Sequence, residues 1–315
     1  MDPLSDVLRA VRLTGAYFYL VEASPPWSVA AVPARELAPR ILPEVEHLIS
    51  YHVIMEGECW GGPEGEPQRR LSKGDIIVFP HGDAHLMSNA EGRRIDRDAL
   101  EYTPARYPET VVIGDGRREA TLVCGFLGCD ARPFNPLLAS LPRVLHVRGA
   151  ADGWLGAFPE QVVRESRGTE AGSLTMLTRM AELMFVEVLR RHLQTLGGEQ
   201  SGWLAALRDP VVGTAIARMH EAPARPWTLH ELAREAAASR SVLAERFSQL
   251  VGIPPMQYLA QWRLQLAAEL LLRDHAKVSA VGVQVGYDSE AAFSRAFKRA
   301  TGAAPAEWRR RRQGR

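Results

Sequence analysis

Apolar positions along this chain change their spacing part-way. Between roughly residues 15 and 135 they fall in short runs, at 17–21, 48–55, 75–79 and 121–127, separated by Gly, Pro and charged residues. Short runs bounded by turn formers predict β-strands, and several of them predict an all-β sandwich or barrel. Residues 133–172 are rich in Pro, Gly and Arg, with Leu141-Pro-Arg-Val-Leu-His-Val147 as the expected last strand. From residue 173 the spacing becomes helical, with Leu174, Leu177, Ala181, Met184, Val188, Leu189, Leu193 and Leu196 on one stripe. That stripe is broad enough to bury more than one surface, and it reads either as a helix packed on the sheets or as a dimer helix. A break at 197–202, a helix over 203–219 and a Pro-containing linker at 223–226 follow.

The last third carries an internal repeat. Residues 239–259 written above 289–309 align Ser239 with Ser289, Leu243 with Phe293, Phe247 with Phe297, Gly252 with Gly302, Pro255 with Pro305 and Tyr258 with Trp308. Each position has a mechanical meaning. Ser is an N-cap, the apolar residues four apart share one helix face, and Gly followed by Pro ends the helix. A helix precedes each copy. In the first, Thr228-Leu-His-Glu231 reads as a capping box ahead of Leu229, Leu232, Ala233 and Ala236. In the second, Val278, Val281 and Val285 form the stripe and residues 286–289 turn. Two short helices joined by a tight turn make a helix-turn-helix. Residues 255–272 read as one apolar helix linking the two copies.

Composition adds modest support. The 315 residues are 46% hydrophobic and 24% charged, with a net charge of +1, an ordinary balance for a chain with real cores. Yet residues 226–315 hold 14 basic against 8 acidic side chains and end in Arg309-Arg310-Arg311-Arg312 and Arg315, as a nucleic-acid-binding module would. Three cysteines, no signal-peptide pattern and no long apolar run lead to the expectation of a cytoplasmic protein.

The stretch from Trp227 to Arg310, densest at Gly286-Tyr-Asp-Ser-Glu-Ala-Ala-Phe-Ser-Arg-Ala-Phe-Lys-Arg299, resembles the DNA-binding domain of the AraC/XylS transcription regulators. It departs from that pattern at Ala237, where the family often has Gly, and at Gly282, where it usually has Ala. With Leu243, Phe247, Phe293 and Phe297 committed to the core, the opposite faces carry Arg240, Ser241, Ala244 and Glu245, and then Glu290, Ala291, Ser294 and Arg295. The resemblance supports Ser241, Glu245, Glu290, Ala291 and Arg295 as DNA-facing. Arg240 and Arg295 suit guanine edges, and Lys298, Arg299 and the terminal arginines suit phosphates.

In the N-terminal half, Lys73-Gly-Asp-Ile-Ile-Val-Phe-Pro-His-Gly-Asp-Ala-His85 resembles the second cupin motif. The first cupin motif fails: its glutamate position is Ser50, its histidine pair falls at residues 42–46, which hold no histidine, and His47 is adjacent. A substitute set for a divalent metal such as zinc would draw on His52, Cys59, His81, His85 and Cys124. Satisfied structural histidines are the competing explanation. Phe79, His81, His85, Trp60 and Cys124 are candidates for an interior pocket.

The expected architecture is α+β: a cupin-like β-barrel sensor over 1–150, a helical connector over 151–222 and a double helix-turn-helix domain over 223–315. The resemblance implies a regulator that binds double-stranded DNA, senses an unknown small-molecule effector, forms a homodimer and works with RNA polymerase. The alternative is a cupin metalloenzyme with a fused DNA-binding domain, which the missing first-motif ligands disfavour.

Overall fold

A computed structural model of the chain describes residues 2–43, 45–92, 109–131, 133–149, 154–167, 171–197, 201–273 and 276–313. Within these, the elements in chain order are α1 (Pro3–Ala10), β1 (Thr14–Ala23), β2 (Ser28–Ala31), α2 (Ala34–Ile41), β3 (His47–Glu56), β4 (Glu58–Pro63), β5 (Arg69–Ser72), β6 (Ile76–Phe79), β7 (His85–Ser88), β8 (Glu109–Ile113), β9 (Ala120–Cys129), α3 (Pro136–Ser140) and β10 (Leu145–Val147). Ten helices follow: α4 (Trp154–Arg167), α5 (Ser173–Thr195), α6 (Trp203–Arg208), α7 (Pro210–Glu221), α8 (Leu229–Glu235), α9 (Arg240–Val251), α10 (Pro255–Arg273), α11 (Val278–Gln284), α12 (Glu290–Thr301) and α13 (Pro305–Gln313). No described helix is long and apolar enough to cross a membrane.

The chain forms two compact units. The sheet unit comprises Leu13–Cys129 and Leu141–Thr195, and the helical unit comprises Met1–Arg12, Asp130–Ser140 and Leu196–Arg315. These divisions depart from the expected cuts after residues 150 and 222. The first turns of the chain and the segment after β9 bury their apolar side chains in the helical unit, and α5 buries its own in the sheet unit.

The expected barrel is not closed. Among the described residues the strands form two separate sheets, ordered β10-β6-β3-β9-β1-β8 and β2-β7-β4-β5. No described strand pairs with both sheets. All pairings are antiparallel except β1 with β8. One apolar core draws on both sheets, with Tyr19, Leu48, Ile54, Phe79, Leu122 and Phe126 from the six-stranded sheet and Cys59, Leu71 and Met87 from the four-stranded one. Helix α5 lies on β1, its Leu177, Ala181, Met184 and Val188 buried. Gly15 makes this approach possible, since a Cβ there would stand 2.2 Å from the Thr178 carbonyl oxygen.

The helical unit follows the caps read from sequence, with one exception. The single helix expected over 203–219 is two, because Pro210 lacks an N–H and begins α7 at its first position. The Asp209 carboxylate caps the new helix by accepting from Val211 N–H at 3.0 Å and Val212 N–H at 2.8 Å. Part of the expected break at 197–202, and the terminal Arg315, lie outside the described residues.

Candidate functional site

Helices α8 and α9 form the first helix-turn-helix. Thr228 and Glu231 make the capping box reciprocally: Glu231 N–H donates to Thr228 Oγ1 at 3.2 Å and Thr228 N–H donates to Glu231 Oε2 at 2.9 Å. The turn passes through Ala237 with φ +50°. Ser239 then caps α9 by accepting from Val242 N–H, and Gly252 closes it in the left-handed conformation. Leu243 and Phe247 are fully buried, so the opposite face is presented outward. Arg240, Ser241 and Glu245 are exposed on it and Ala244 is half-buried.

The second copy repeats this geometry. Gly286 takes the positive φ of its turn, Ser289 caps α12 and Gly302 closes it. Phe293 and Phe297 are fully buried against Leu264, Leu271, Val281 and Trp308. Glu290, Ala291, Arg295, Lys298 and Arg299 are exposed and Ser294 is half-buried. The structure therefore brings every proposed DNA-facing residue onto one of two capped, outward helix faces. The terminal run divides differently from the sequence reading. Arg310 and Arg311 are exposed. Arg309 is turned back to donate to the Ala276 carbonyl at 2.6 Å, and Arg312 donates to the Asp130 carboxylate at 3.0 Å. A helix end places successive side chains about 100° apart, so four adjacent arginines cannot share one face.

Sequence reading missed Arg263. From α10, its Nε donates to the Pro223 carbonyl (2.7 Å), Nη2 to the Arg225 carbonyl (2.7 Å) and Nη1 to the Gly286 carbonyl (3.1 Å). One guanidinium thus ties the entry to α8 and the turn before α12 to the same helix. Its fan of donors is suited to that role. The only sequence signal was a charge in the middle of a largely apolar helix.

In the sheet unit, three of the five metal-ligand candidates meet. His52 on β3 lies opposite Cys124 on β9, and their Nδ1 and Sγ are 2.8 Å apart. His52 Nε2 lies 2.7 Å from Nε2 of His85 on β7, which bridges the two sheets. His85 Nδ1 donates to the Asp83 carbonyl at 2.9 Å, and its ring stacks on Phe79 at 3.8 Å. Burial pushes the His52 pKa well down and that of His85 to about 4, and it raises the Cys124 thiol. Neutral groups then form a one-way chain. Cys124 S–H donates to His52 Nδ1, His52 Nε2–H donates to His85 Nε2, and His85 Nδ1–H donates to Asp83. Every ring nitrogen has a partner, so the metal-free cluster is a hydrogen-bonded tie between the two sheets, and a zinc ion held here would have to displace its protons, that of the Cys124 thiol included. No three such side chains gather in metal-binding geometry among the described residues. Cys59 is a buried thiol, its pKa raised to about 12 by burial. His81 points elsewhere, donating to the Leu141 carbonyl at 2.9 Å.

The space around this cluster is small. A cavity of about 20 Å³ is lined by Tyr19, Val21, Trp27, His52, His85, Met87, Leu122 and Cys124, enough for roughly one water molecule. A larger cleft of about 360 Å³ opens beside the N-terminus of α2, lined by Ala34, Glu46, His47, Glu64, His81, Asp83 and Arg143. His47 Nε2 donates to the Pro80 carbonyl at 2.6 Å, and burial lowers its pKa. Arg143 is held by Asp83 at 3.0 Å and by Glu66. Of the interior-pocket candidates, Cys124 and His85 line the small cavity and His81 the cleft.

A cupin family model matches residues 2–194 and a helix-turn-helix domain model matches residues 232–311. An AraC-like transcription regulator of Streptomyces lividans is 32% identical, with 98% of each chain aligned. The HTH-type transcriptional regulator AlkR of Acinetobacter baylyi is 28% identical, covering 98% of this chain and 99% of its own. Among solved structures, the DNA-binding domain of AdpA in complex with a target DNA aligns at 29% identity and a TM-score of 0.32. It covers 34% of this chain and 95% of that domain.

Proposed function

The chain belongs to the AraC-like transcription regulators, with an N-terminal cupin domain and a C-terminal helix-turn-helix domain, and we propose that it reads a two-part operator through α9 and α12 under control of a small-molecule effector. The observation that carries the reading is the pair of capped helices whose buried faces are spoken for and whose free faces carry Arg240 and Arg295. Recognition helices enter the major groove N-terminus first, and two in one chain suit successive grooves about 34 Å apart. Exposed Lys298, Arg299, Arg310 and Arg311 then meet phosphates, so affinity falls steeply with salt.

For the effector, the cleft beside α2 is within the usual size range of ligand pockets while the cavity between the sheets is far below it. A polar molecule bonded by His47, His81 and the carboxylates of the cleft is therefore the effector we propose. Exposed Met176 and Leu183, seven residues apart on the outer face of α5, support a dimer. The enzyme alternative gains nothing from the His52–His85–Cys124 tie.

Selection from a random double-stranded DNA pool tests the reading. The expected result is an enriched motif of two blocks, with Arg240→Ala and Arg295→Ala each costing about 1–3 kcal/mol and relaxing one block. Retention of DNA without sequence preference, unchanged by either substitution, would overturn it.

A further inference from the structure

Asp130 is the residue that follows β9 directly, and it is 6% exposed. Its Oδ1 accepts from Arg312 Nη1 at 3.0 Å, and its Oδ2 lies 3.9 Å from Arg12 Nη1. The segment is pinned on both sides of the carboxylate. Asp130 N–H donates to the Val11 carbonyl at 2.8 Å, and Asn135 Nδ2 donates to the Asp130 carbonyl at 2.9 Å. Arg312 is correspondingly sequestered, its side chain only 7% exposed, while its neighbours Arg310 and Arg311 on the same turn of α13 face solvent.

We propose that Asp130 is an autoinhibitory clamp that keeps Arg312 off the DNA backbone and releases it when the segment after β9 shifts. The inference rests on the DNA-binding reading. Three features support it beyond an ordinary structural ion pair. The arginine belongs to a basic run that follows the second recognition helix, where an extra cation adds to phosphate binding. A buried pair is an all-or-none contact, because separating it leaves an uncompensated charge unless both partners reach water. Finally, the carboxylate is covalently continuous with β9, whose Leu122 and Cys124 line the cavity of the sheet unit. A change in the set of that strand is passed along the chain to Asp130.

The released guanidinium forms one more phosphate contact, which steepens the plot of log affinity against log salt by about 0.9 and tightens binding roughly eightfold at 0.1 M salt. The test is full-length wild type, Asp130→Asn and Asp130→Asn/Arg312→Gln on a random-sequence duplex of fixed length, from 50 to 200 mM salt. The expected result is a steeper slope and tighter binding in Asp130→Asn, both returned to wild type in the double variant. An unchanged slope in folded Asp130→Asn, or a gain that survives removal of Arg312, overturns the clamp. If Asp130→Asn fails to fold, Arg312→Gln alone decides. A residue held off DNA leaves the slope unchanged, whereas an ordinary phosphate contact flattens it by about 0.9. Wild type that binds no duplex at any salt would instead sink the DNA-binding reading itself.

Discussion

His85 is fully buried between a stacked Phe79 ring and the His52 imidazole, and that burial holds its pKa at about 4 against the upward pull of the Asp83 carbonyl and carboxylate. In the unfolded chain the same ring titrates near 6.5. The native unit therefore excludes a proton that the unfolded chain accepts. Its stability is full above pH 6.5 and falls as the pH drops from there towards 4. The loss from this one group is about 3 kcal/mol at pH 4, and His52, shifted in the same direction, adds to it. Urea unfolding of the sheet unit at steps between pH 7.5 and 4.5 should show this decline. His85→Gln, though less stable at pH 7.5, should show a visibly shallower one. Parallel profiles for the two proteins would mean that His85 is not the proton-excluding group. The cluster also shows what the sequence could and could not convey. The residue types of a metal site were legible at His52, His85 and Cys124. Their tautomers were not, because these depend on an Asp83 carbonyl placed by a turn and on a cross-sheet register.

Helices α9 and α12 were legible almost in full, since each is set by local chemistry: a serine cap, a stripe of apolar residues and a glycine stop. Elements of the N-terminal half were less so. Helices α1, α2 and α4 went unread because α2 and α4 each contain a proline, and α1 is only eight residues long with its apolar face defined by distant partners. The two departures from the family pattern make a contrast that only structure resolves. Gly282 lies where α11 crosses α12, and a Cβ there would stand 3.2 Å from three atoms of the wholly buried Phe293, tight enough that the ring would have to shift. The helix-propensity cost of glycine, about 0.5–1 kcal/mol, is accepted for close packing, and Gly282→Ala should lower the melting temperature. Ala237 is the opposite case. It takes φ +50° in the turn where the second copy uses Gly286, and a left-handed alanine costs about 1–2 kcal/mol. Part of that strain returns as extra freedom of glycine in the unfolded chain. Ala237→Gly should therefore stabilise the helical unit by about 0.5–1 kcal/mol, raising its melting temperature without changing DNA affinity. A lower melting temperature would show that the turn prefers its side chain.

At the scale of the whole molecule, the helical unit is assembled from three stretches that sequence order keeps far apart. Gln265, 1% exposed in the middle of α10, reads two of them at once. Its Nε2 donates to the Ala10 carbonyl at 2.7 Å, 255 residues away in sequence, and its Oε1 accepts from Phe134 N–H at 3.0 Å. Asp6 of α1 reaches His220 of α7, with 3.6 Å between Oδ2 and Nδ1, and that ring stacks on Trp262 at 4.1 Å while Tyr258 bonds its other nitrogen at 2.8 Å. Such long-range pairings leave no local pattern, so they were invisible to period and capping rules. They make the first turns of the chain part of the DNA-binding unit's stability. Leu4 and Val7 are buried on α1, and each contributes about 1.5–3 kcal/mol when fully buried. Deleting residues 2–12 from the full chain should thus cost the helical unit about 3–5 kcal/mol, together with faster amide exchange in α7 and α10. Strands β3 and β6 of the sheet unit should keep their protection, because their ladder partners β9 and β10 are untouched. Equal loosening of both units would point to a general folding defect. No change in α7 or α10 would show that α1 adds no stability to the helices it lies on.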